Sequence, residues 1–144
     1  MKICAILEAK GTSVATARPD ITVASAIRIL QEKGIGSLIV TENGNTVDGL
    51  VSERDIVRGL DTHGPELLDL PVSEVMTRVV LTCGPDDTVH TAMNEMTRSR
   101  VRHLPVVDGG RLCGIISIGD VVKHRLDELE METNVLRDAF ISRQ

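Results

Sequence analysis

Apolar positions along the chain switch between helical spacing and short continuous runs, which predicts a fold that mixes helices and strands. Val23, Ala26, Ile27 and Leu30 recur at intervals of three and four residues, as on one face of an α-helix. Thr22 stands directly before this run, where its side-chain oxygen can cap the helix. Two short apolar runs follow, bounded by turns rich in Asn, Gly and Asp, and such runs are typical of strands. The pattern therefore predicts a helix followed by a pair of strands.

The same pattern occurs twice. The segment 16–26 reappears as 82–92, with six identical residues at a constant offset of 66. One residue is lost in the turn between the two strands. The offset then becomes 65 and brings the Ser-x-x-Asp motif at 52–55 onto the one at 117–120. So many matches in one order indicate an internal duplication.

Each copy is predicted to be a β-α-β-β-α unit. A single unit leaves one sheet face open, so we expect the two to pack about a pseudo-two-fold axis and close one core. The fold class is α/β (α+β), with an extended C-terminal helix. In the first copy we predict strands at 14–16, 37–41 and 49–52, with helices at 23–33 and from Asp55. In the second we predict strands at 80–82, 103–107 and 112–117, with helices at 89–98 and from Asp120.

The remaining segments connect or extend these repeats. We predict that residues 1–60 form the first repeat, with a lead-in helix at 3–9, and that 61–70 form a linker. Residues 71–126 form the second repeat, which starts with a lead-in helix at 71–76 because Pro71 suits a first turn. Residues 127–144 are predicted to be a helical extension.

The extension carries an apolar heptad pattern. Val122, Leu126, Leu129, Leu136 and Phe140 recur at alternating intervals of three and four residues, with one polar break at position 133. The pattern suits either a helix that covers the chain's own core or a helix that pairs with a second copy. We favour the second, because the first repeat has no equivalent extension.

The amino-acid composition disfavours several classes of function. The 144 residues carry a net charge of −5, their Lys and Arg are dispersed, and Phe140 is the single aromatic. General nucleic-acid binding is disfavoured, because it needs a basic stripe or stacking platforms. The apolar runs are too short to cross a bilayer, and no signal peptide is recognisable. The three cysteines have no metal-ligand or CxxC spacing, so we expect a cytoplasmic protein whose cysteines are reduced.

Two motifs carry a resemblance to a known family. The run R-H-L-P-V-V-D at 102–108 and the strand end G-x-x-S-x-x-D at 114–120, inside the duplicated unit, resemble a tandem pair of CBS domains, also called a Bateman module. The resemblance implies a stand-alone CBS-pair protein that senses adenine nucleotides or adenosyl compounds. AMP is the foremost expected ligand, with NAD(H), ATP and ADP as alternatives. It also implies a homodimer, frequently disc-shaped, and an effector protein that the sequence does not identify.

Four residues are candidates for binding ribose. Asp120 is the strongest, because a carboxylate can accept hydrogen bonds from both ribose hydroxyls, and Asp55 is its counterpart in the first repeat. Ser117 and Ser52 place hydroxyls at the same strand ends. Helix capping by Asp and turn formation by Ser are the structural alternatives.

Cationic residues are expected beside only one of the two acids. Arg102 and His103 precede Leu104 directly, and with Arg100 they could bind phosphate next to Asp120. A solvated basic edge is the alternative. The equivalent positions of the first repeat are Gly36 and Ser37, so only Arg54 could substitute there. We therefore predict two chemically unequal clefts.

The adenine contacts are the least specific part of the prediction. The resemblance puts Thr16 and Thr82 near the base or ribose, although both precede plain turns. Pro105 lacks an N–H and suits a strand beside a cleft, where nearby backbone groups could read the adenine edge. Aliphatic residues would enclose the base, although core packing explains them equally well. They are Leu104, Ile116, Ile35, Val101 and Ile118.

Three functions remain open at this point. The first is a non-catalytic regulatory module that binds adenine nucleotides. The second is a structural dimerisation adaptor with unoccupied clefts, and the third, least favoured, is a nucleotide-processing enzyme. No metal site is predicted, because His63, His90 and His124 are isolated. No phosphate-binding loop motif is present either.

Overall fold

The computed structural model describes residues 1–142. After α1 (Ile3–Lys10), the first repeat comprises β1 (Thr16–Ala17), α2 (Val23–Lys33), β2 (Ser37–Val40), β3 (Gly49–Ser52) and α3 (Glu53–His63). The second repeat comprises α4 (Val89–Ser99), β4 (His103–Asp108), β5 (Arg111–Ser117) and α5 (Ile118–Ser142). This order confirms the predicted duplication and the mixed fold with its C-terminal helix.

Equivalent caps start the paired helices. The Thr22 hydroxyl oxygen accepts a hydrogen bond from the backbone N–H of Ser25 at 3.1 Å, and Thr88 accepts one from Thr91 at the same distance. These caps satisfy N–H groups that the first turn cannot bond internally. The helices α2 and α4 therefore begin where the sequence predicted.

The strands of each repeat pair around a central hairpin. In the first repeat β2 runs antiparallel to β3, with Ser37 opposite Ser52, and parallel to β1. In the second repeat β4 and β5 form the equivalent hairpin, with His103 opposite Ser117. These registers place the N-terminal end of α3 beside the start of β2, and the N-terminal end of α5 beside the start of β4.

The predicted first strands are wrong in detail. The first lies at 16–17, two residues later than its predicted start. The strand predicted at 80–82 does not form among the described residues; Cys83 makes one parallel bridge to Val106 instead. In the first repeat the Ile39 N–H extends the pairing by donating to the Ala15 carbonyl at 3.3 Å, whereas the equivalent residue of the second repeat is Pro105, which has no N–H to donate.

Each lead-in segment packs on the other repeat. The segment before the first repeat packs on the second, and the segment before the second repeat packs on the first. Helix α1 lies on the second repeat, where Ile3 is fully buried and its N–H bonds the Asp87 carbonyl at 2.9 Å. The stretch before the second repeat returns to the first, where the Val72 N–H bonds the Ile21 carbonyl at 2.7 Å. The prediction grouped α1 with the first repeat, at residues 1–60, whereas the helix packs on the second repeat.

Glycine allows each lead-in segment to pack closely on the other repeat. A Cβ added at Gly114 would lie 2.6 Å from Leu7 Cδ2, and one at Gly49 would lie 2.5 Å from Met76 Sδ. These two glycines are equivalent in the duplication, so each strand end lets a lead-in side chain lie directly on its backbone.

Two further expectations need correction. Residues 71–76 form no α-helix: a short 3₁₀ segment spans Val72–Glu74 and Pro71 precedes it. Helix α3 continues to His63, and residues 64–69 form another 3₁₀ segment whose Leu67 is fully buried against the first repeat. The stretch predicted as a linker is therefore packed.

The buried residues form two clusters and not the single core that was expected. One lies in the first repeat and the other joins the second repeat to α1. Cys83 belongs to the second, where burial, with smaller contributions from Asp87 and Cys113, raises its pKa to about 12. Among residues 1–142, no helix combines the length and apolar character needed to cross a membrane.

Candidate functional site

A cavity of about 600 Å³ lies between the two repeats. The first repeat contributes the N-terminal end of α3 and the adjacent strand end. The second contributes the connection from α4 to β4, and residues 77–81 form a third side. The lining residues are Gly36, Leu50, Ser52, Glu53, Arg54, Asp55, Arg58, Thr77, Val79, Val80, Leu81, Ser99, Arg100, Val101, Arg102 and His103.

Asp55 is held at this cavity by a capping box. Its Oδ2 accepts hydrogen bonds from the Ser52 N–H at 2.8 Å and the Ser52 hydroxyl at 2.9 Å, and Ser52 Oγ accepts from the Asp55 N–H. Its Oδ1 accepts from the Thr77 hydroxyl at 3.0 Å. The helix begins at Glu53, so Asp55 is its third residue and not its cap. Since a carboxylate has about four acceptor positions, about one remains for a ligand.

Asp120 has a different neighbour. Its Oδ2 accepts from the Ser117 N–H at 2.9 Å, and the Asp120 N–H donates to Ser117 Oγ, which repeats the capping geometry. The same Oδ2 also receives the Lys10 ammonium at 2.6 Å. Partial burial would raise the pKa of the Asp120 carboxyl. The hydrogen bonds from Lys10 and Ser117 outweigh burial and lower that pKa below its ordinary value.

The arginines lie at the Asp55 side. Arg54, Arg58, Arg100 and Arg102 all line the cavity, against the carboxylates of Glu53 and Asp55. Arg58 approaches Asp55 at 3.9 Å. Within the part of the chain that the structure describes, the other three arginines have no carboxylate within 4.0 Å (Arg54, Arg100 and Arg102). The cavity is therefore positively charged in a chain whose net charge is negative.

Arg102 was expected beside Asp120, and the structure groups it with Asp55. The Arg102 carbonyl does accept the first N–H of α5, from Ile118 at 2.8 Å, so its backbone lies at the Asp120 end. Arg102 also lines the cavity that Asp55 lines, and it makes no ion pair with Asp120. The carbonyl of the equivalent Gly36 accepts the Glu53 N–H in the same way, but glycine has no cationic side chain. The duplication thus supplies one cleft with an arginine and leaves the other without it.

Arg100 adopts an unusual backbone conformation. Its φ is 55°, the only positive φ of a non-glycine residue among residues 1–142. It ends α4 at the position where Gly34, with a φ of 62°, ends α2. Left-handed backbone costs a residue with a side chain about 1 kcal/mol or more, and such strain concentrates at functional sites. The strained residue is one of those that line the cavity.

His103 contributes little positive charge at neutral pH. Burial lowers its pKa below the ordinary value, and the nearby Lys10 lowers it further, although Asp120 opposes the shift. The neutral ring lies between the two repeats, where a Cβ added at Gly36 would be 3.8 Å from both its Cε1 and the Glu53 carboxyl. His103 is therefore a proton-dependent neighbour of the cavity and not a fixed cation.

The predicted adenine contacts are mostly elsewhere. Leu104, Pro105 and Ile116 are buried in the second repeat, and none of them lines the cavity. Thr16 and Thr82 are exposed and do not line it either. Ile118 packs against the second core, and Ile35 lines an adjoining groove. Val101 does line the cavity, together with Leu50 and residues 79–81.

Sequence reasoning missed several residues of the site. Arg58 lies three positions after Asp55 on the same helix, so the i, i+3 spacing could have indicated it. Thr77 and Lys10 approach the acids from segments distant in sequence, and no local pattern pointed to them. Among the described residues, no group of three or more His, Cys, Asp or Glu side chains is placed to hold a metal ion.

Comparison with known families agrees with this architecture. The family model of the CBS domain matches residues 10–62 and 72–127, which is most of the chain. The protein therefore belongs to the CBS-domain family and contains two such domains in tandem.

Individual relatives support the same assignment. An uncharacterized 17.7 kDa protein of Acidianus ambivalens is 35% identical over 122 residues, which cover 84% of this chain and 73% of that protein. The crystal structure of the CBS-domain protein ATU1752 from Agrobacterium tumefaciens is 40% identical. It superposes with a TM-score of 0.83 over 87% of this chain and 99% of that chain.

A further solved structure was determined with ligands. It is the CBS domain pair of protein MJ0100 in complex with 5′-methylthioadenosine and S-adenosyl-L-methionine. It is 25% identical to this chain and has a TM-score of 0.75, over 85% of this chain and 98% of that chain.

Proposed function

We propose that this protein is a non-catalytic regulatory module that binds an adenine nucleotide in the cavity between its two repeats. The observation that carries the proposal is the set of three arginines around the cavity without carboxylate partners (Arg54, Arg100 and Arg102). An unpaired guanidinium is the side chain best suited to bind a phosphate, because it donates in a planar fork and is always charged.

The rest of the cavity fits a nucleoside. A volume of about 600 Å³ is within the range of small-molecule sites, roughly 300–1,000 Å³. Ser52, Asp55 and Thr77 group polar oxygens on one side, and we assign the ribose to them. Leu50, Val101 and residues 79–81 offer aliphatic surface, which suits a base where no aromatic ring is available for stacking.

The choice of adenine rests on the family and on the ligands of the MJ0100 domain pair. The charge of the cavity favours a different adenosyl ligand here. S-adenosyl-L-methionine carries a positive sulfonium, which four guanidinium groups would repel. An anionic phosphate would be attracted, so AMP leads and NAD(H), ADP and ATP are the alternatives.

Titration calorimetry of the full chain tests the proposal. We expect AMP to bind at least ten times more tightly than adenosine or S-adenosyl-L-methionine, and chromatography to recover the AMP unchanged. Arg102→Ala should weaken AMP binding tenfold or more, since a hydrogen bond to a charged group contributes about 1.5–3 kcal/mol.

The matched control is Arg98→Ala, because Arg98 is exposed on α4, pairs with Glu95 and lies outside the cavity. Equal affinity for AMP and adenosine would contradict the phosphate site. Conversion of AMP to a product would favour catalysis. No heat with any adenine compound would favour a structural adaptor.

A further inference from the structure

Helix α5 extends beyond the domain that it starts from. Every side chain from 129 to 142 is exposed, so about 21 Å of helix buries no side chain against the domain. Isolated helices of this length are marginal in water, and most helical stability in proteins comes from packing of an apolar face. The projecting part of α5 therefore requires a partner surface.

One face of α5 is apolar and self-complementary. The seam consists of positions 122, 126, 129, 133, 136 and 140, at the alternating spacing of a coiled coil. Its apolar members are 42% to 71% exposed, and they include Phe140, the single aromatic residue of the chain. The residue at 133 is a threonine, and a polar residue at a single core position fixes the register of such pairs.

The seam lies beside the face of α5 that packs on the domain and remains exposed. Val121 is fully buried against the second repeat, whereas Val122, the next residue and the first of the seam, is 44% exposed. Successive residues are about 100° apart around a helix. A second copy can therefore lie along the seam, related by a two-fold axis, while the two domains occupy opposite sides.

We propose that α5 pairs with α5 of a second copy as a parallel, in-register, two-stranded coiled coil. The charges beside the seam determine the orientation. In this arrangement Arg125 lies near the partner's Glu130, and Glu132 lies near the partner's Arg137. Both pairs are attractive, and all four side chains are on the described part of α5. Arg125 also contacts Glu128 of its own helix at 2.8 Å and keeps donors free.

The antiparallel alternative has the opposite electrostatics. With the same apolar overlap it brings Glu130 near the partner's Glu130 and Glu132 near the partner's Glu132. It also brings Lys123 near the partner's Arg137. Like charges at such flanking positions oppose pairing, so the charge pattern selects the parallel form.

Disulfide cross-linking of the full chain tests both the contact and its direction. We expect Leu136→Cys to cross-link to itself under mild oxidation at least ten times faster than Val135→Cys, the exposed neighbour outside the seam. In an antiparallel pair, position 136 would be about 15 Å from its copy and opposite position 126. Oxidised wild-type protein controls for Cys4, Cys83 and Cys113.

Charge exchange provides a second readout by sedimentation. We expect Glu132→Arg and Arg137→Glu to raise the dimer dissociation constant at least threefold each, and the double exchange to restore it. Leu136→Asp should raise it at least tenfold, with Val135→Asp as the matched control. Equal cross-linking at 135 and 136 would overturn the pairing, as would a dimer that Leu136→Asp leaves unchanged. Cross-linking only between Leu126→Cys and Leu136→Cys chains would overturn the parallel direction.

Discussion

Asp55 and Asp120 occupy equivalent positions in the two repeats, and their surroundings differ. Both close the same capping box on a serine three residues earlier. Beyond that box, Asp55 receives the Thr77 hydroxyl beside an arginine-lined cavity, whereas Asp120 receives the ammonium of Lys10. The comparison shows that the Ser-x-x-Asp motif by itself forms only a helix N-terminus. Contacts from residues distant in sequence, Thr77 in one repeat and Lys10 in the other, determine whether the acid is accessible to a ligand.

The largest effect is expected from the two arginines that the α4–β4 connection contributes to the cavity. Arg100→Ala combined with Arg102→Ala should weaken AMP binding about 100-fold or more, since each removes a charge-assisted hydrogen bond of about 1.5–3 kcal/mol. Calorimetry measures the loss, with Arg98→Ala combined with Glu95→Ala as a control at an exposed pair outside the cavity. A loss below threefold would show that the phosphate lies elsewhere.

The two acids should respond differently to the same substitution. Asp55→Asn should weaken AMP binding about tenfold and lower the unfolding free energy by about 1–3 kcal/mol, because its carboxylate is 6% exposed and holds three hydrogen bonds. Asp120→Asn should leave affinity unchanged and cost at most about 1 kcal/mol, since its ion pair is partly exposed. Thermal denaturation and calorimetry on both variants check this. The reverse order of effects on affinity would transfer the site to Asp120.

Removing Lys10 should make the clefts more alike. Lys10→Ala frees the Asp120 carboxylate for a ribose but leaves no cation for a phosphate, so we expect a second, weak binding event for adenosine and not for AMP. The alternative outcome is an unchanged stoichiometry, which would mean that Lys10 does not obstruct the second cleft. Titration to saturation distinguishes the two.

The same variant has a pH signature. Because Lys10 lowers the pKa of Asp120 in the folded protein, its contribution is present above the unfolded value of about 3.9 and is lost as pH falls through the folded value. The stability difference between wild type and Lys10→Ala, at most about 1 kcal/mol at pH 7, should therefore shrink below about pH 4. Denaturant unfolding as a function of pH measures it. A difference that grows in acid would contradict the ion pair.

Relief of the backbone strain at Arg100 should raise the stability of the fold and weaken ligand binding. Arg100→Gly should raise the unfolding free energy by up to about 1 kcal/mol, because glycine adopts a positive φ without a steric penalty. The same change should weaken AMP binding about tenfold. Gly34 at the equivalent helix end gives the reverse control, since Gly34→Ala should destabilise without affecting the ligand.

The smallest effect concerns His103. Its pKa lies below the ordinary value in the free protein, and a bound phosphate would raise it, so protons and phosphate should bind cooperatively. AMP affinity should then rise a few-fold as pH falls from 8 to 6, and His103→Gln should remove that dependence. A profile that is identical in the variant would exclude a role for this ring.

The sequence predicted the fold well because the duplication constrains it. Apolar periodicity located α2, α4 and the two hairpins, and the caps Thr22 and Thr88 marked the helix starts. It did not predict that α1 packs on the second repeat, because crossing depends on contacts such as Leu7 over Gly114, which no local pattern reveals. The predicted first strand of the second repeat does not form, because Pro105 lacks the N–H with which the equivalent Ile39 bonds the first strand of the first repeat.

Several candidate residues predicted from the sequence line the cavity, but their grouping there was not predicted. The motif identified Ser52, Asp55 and the arginines of the α4–β4 connection, yet sequence proximity suggested that Arg102 serves the acid of its own repeat. Arg102 instead lines the cavity with the acid of the other repeat, although its backbone carbonyl bonds Ile118 of its own repeat. Long-range contacts such as Thr77 with Asp55 and Lys10 with Asp120 decide the difference between the clefts, and they require the tertiary structure.

A crystal structure of the full chain grown with AMP tests the central claim most directly. The account predicts one nucleotide per chain in the cavity between the repeats, with its phosphate bonded to Arg100 and Arg102, its ribose beside Asp55, and the contact between Lys10 and Asp120 intact. A nucleotide bound against Asp120 with Lys10 displaced, and the arginine-lined cavity empty, would contradict it.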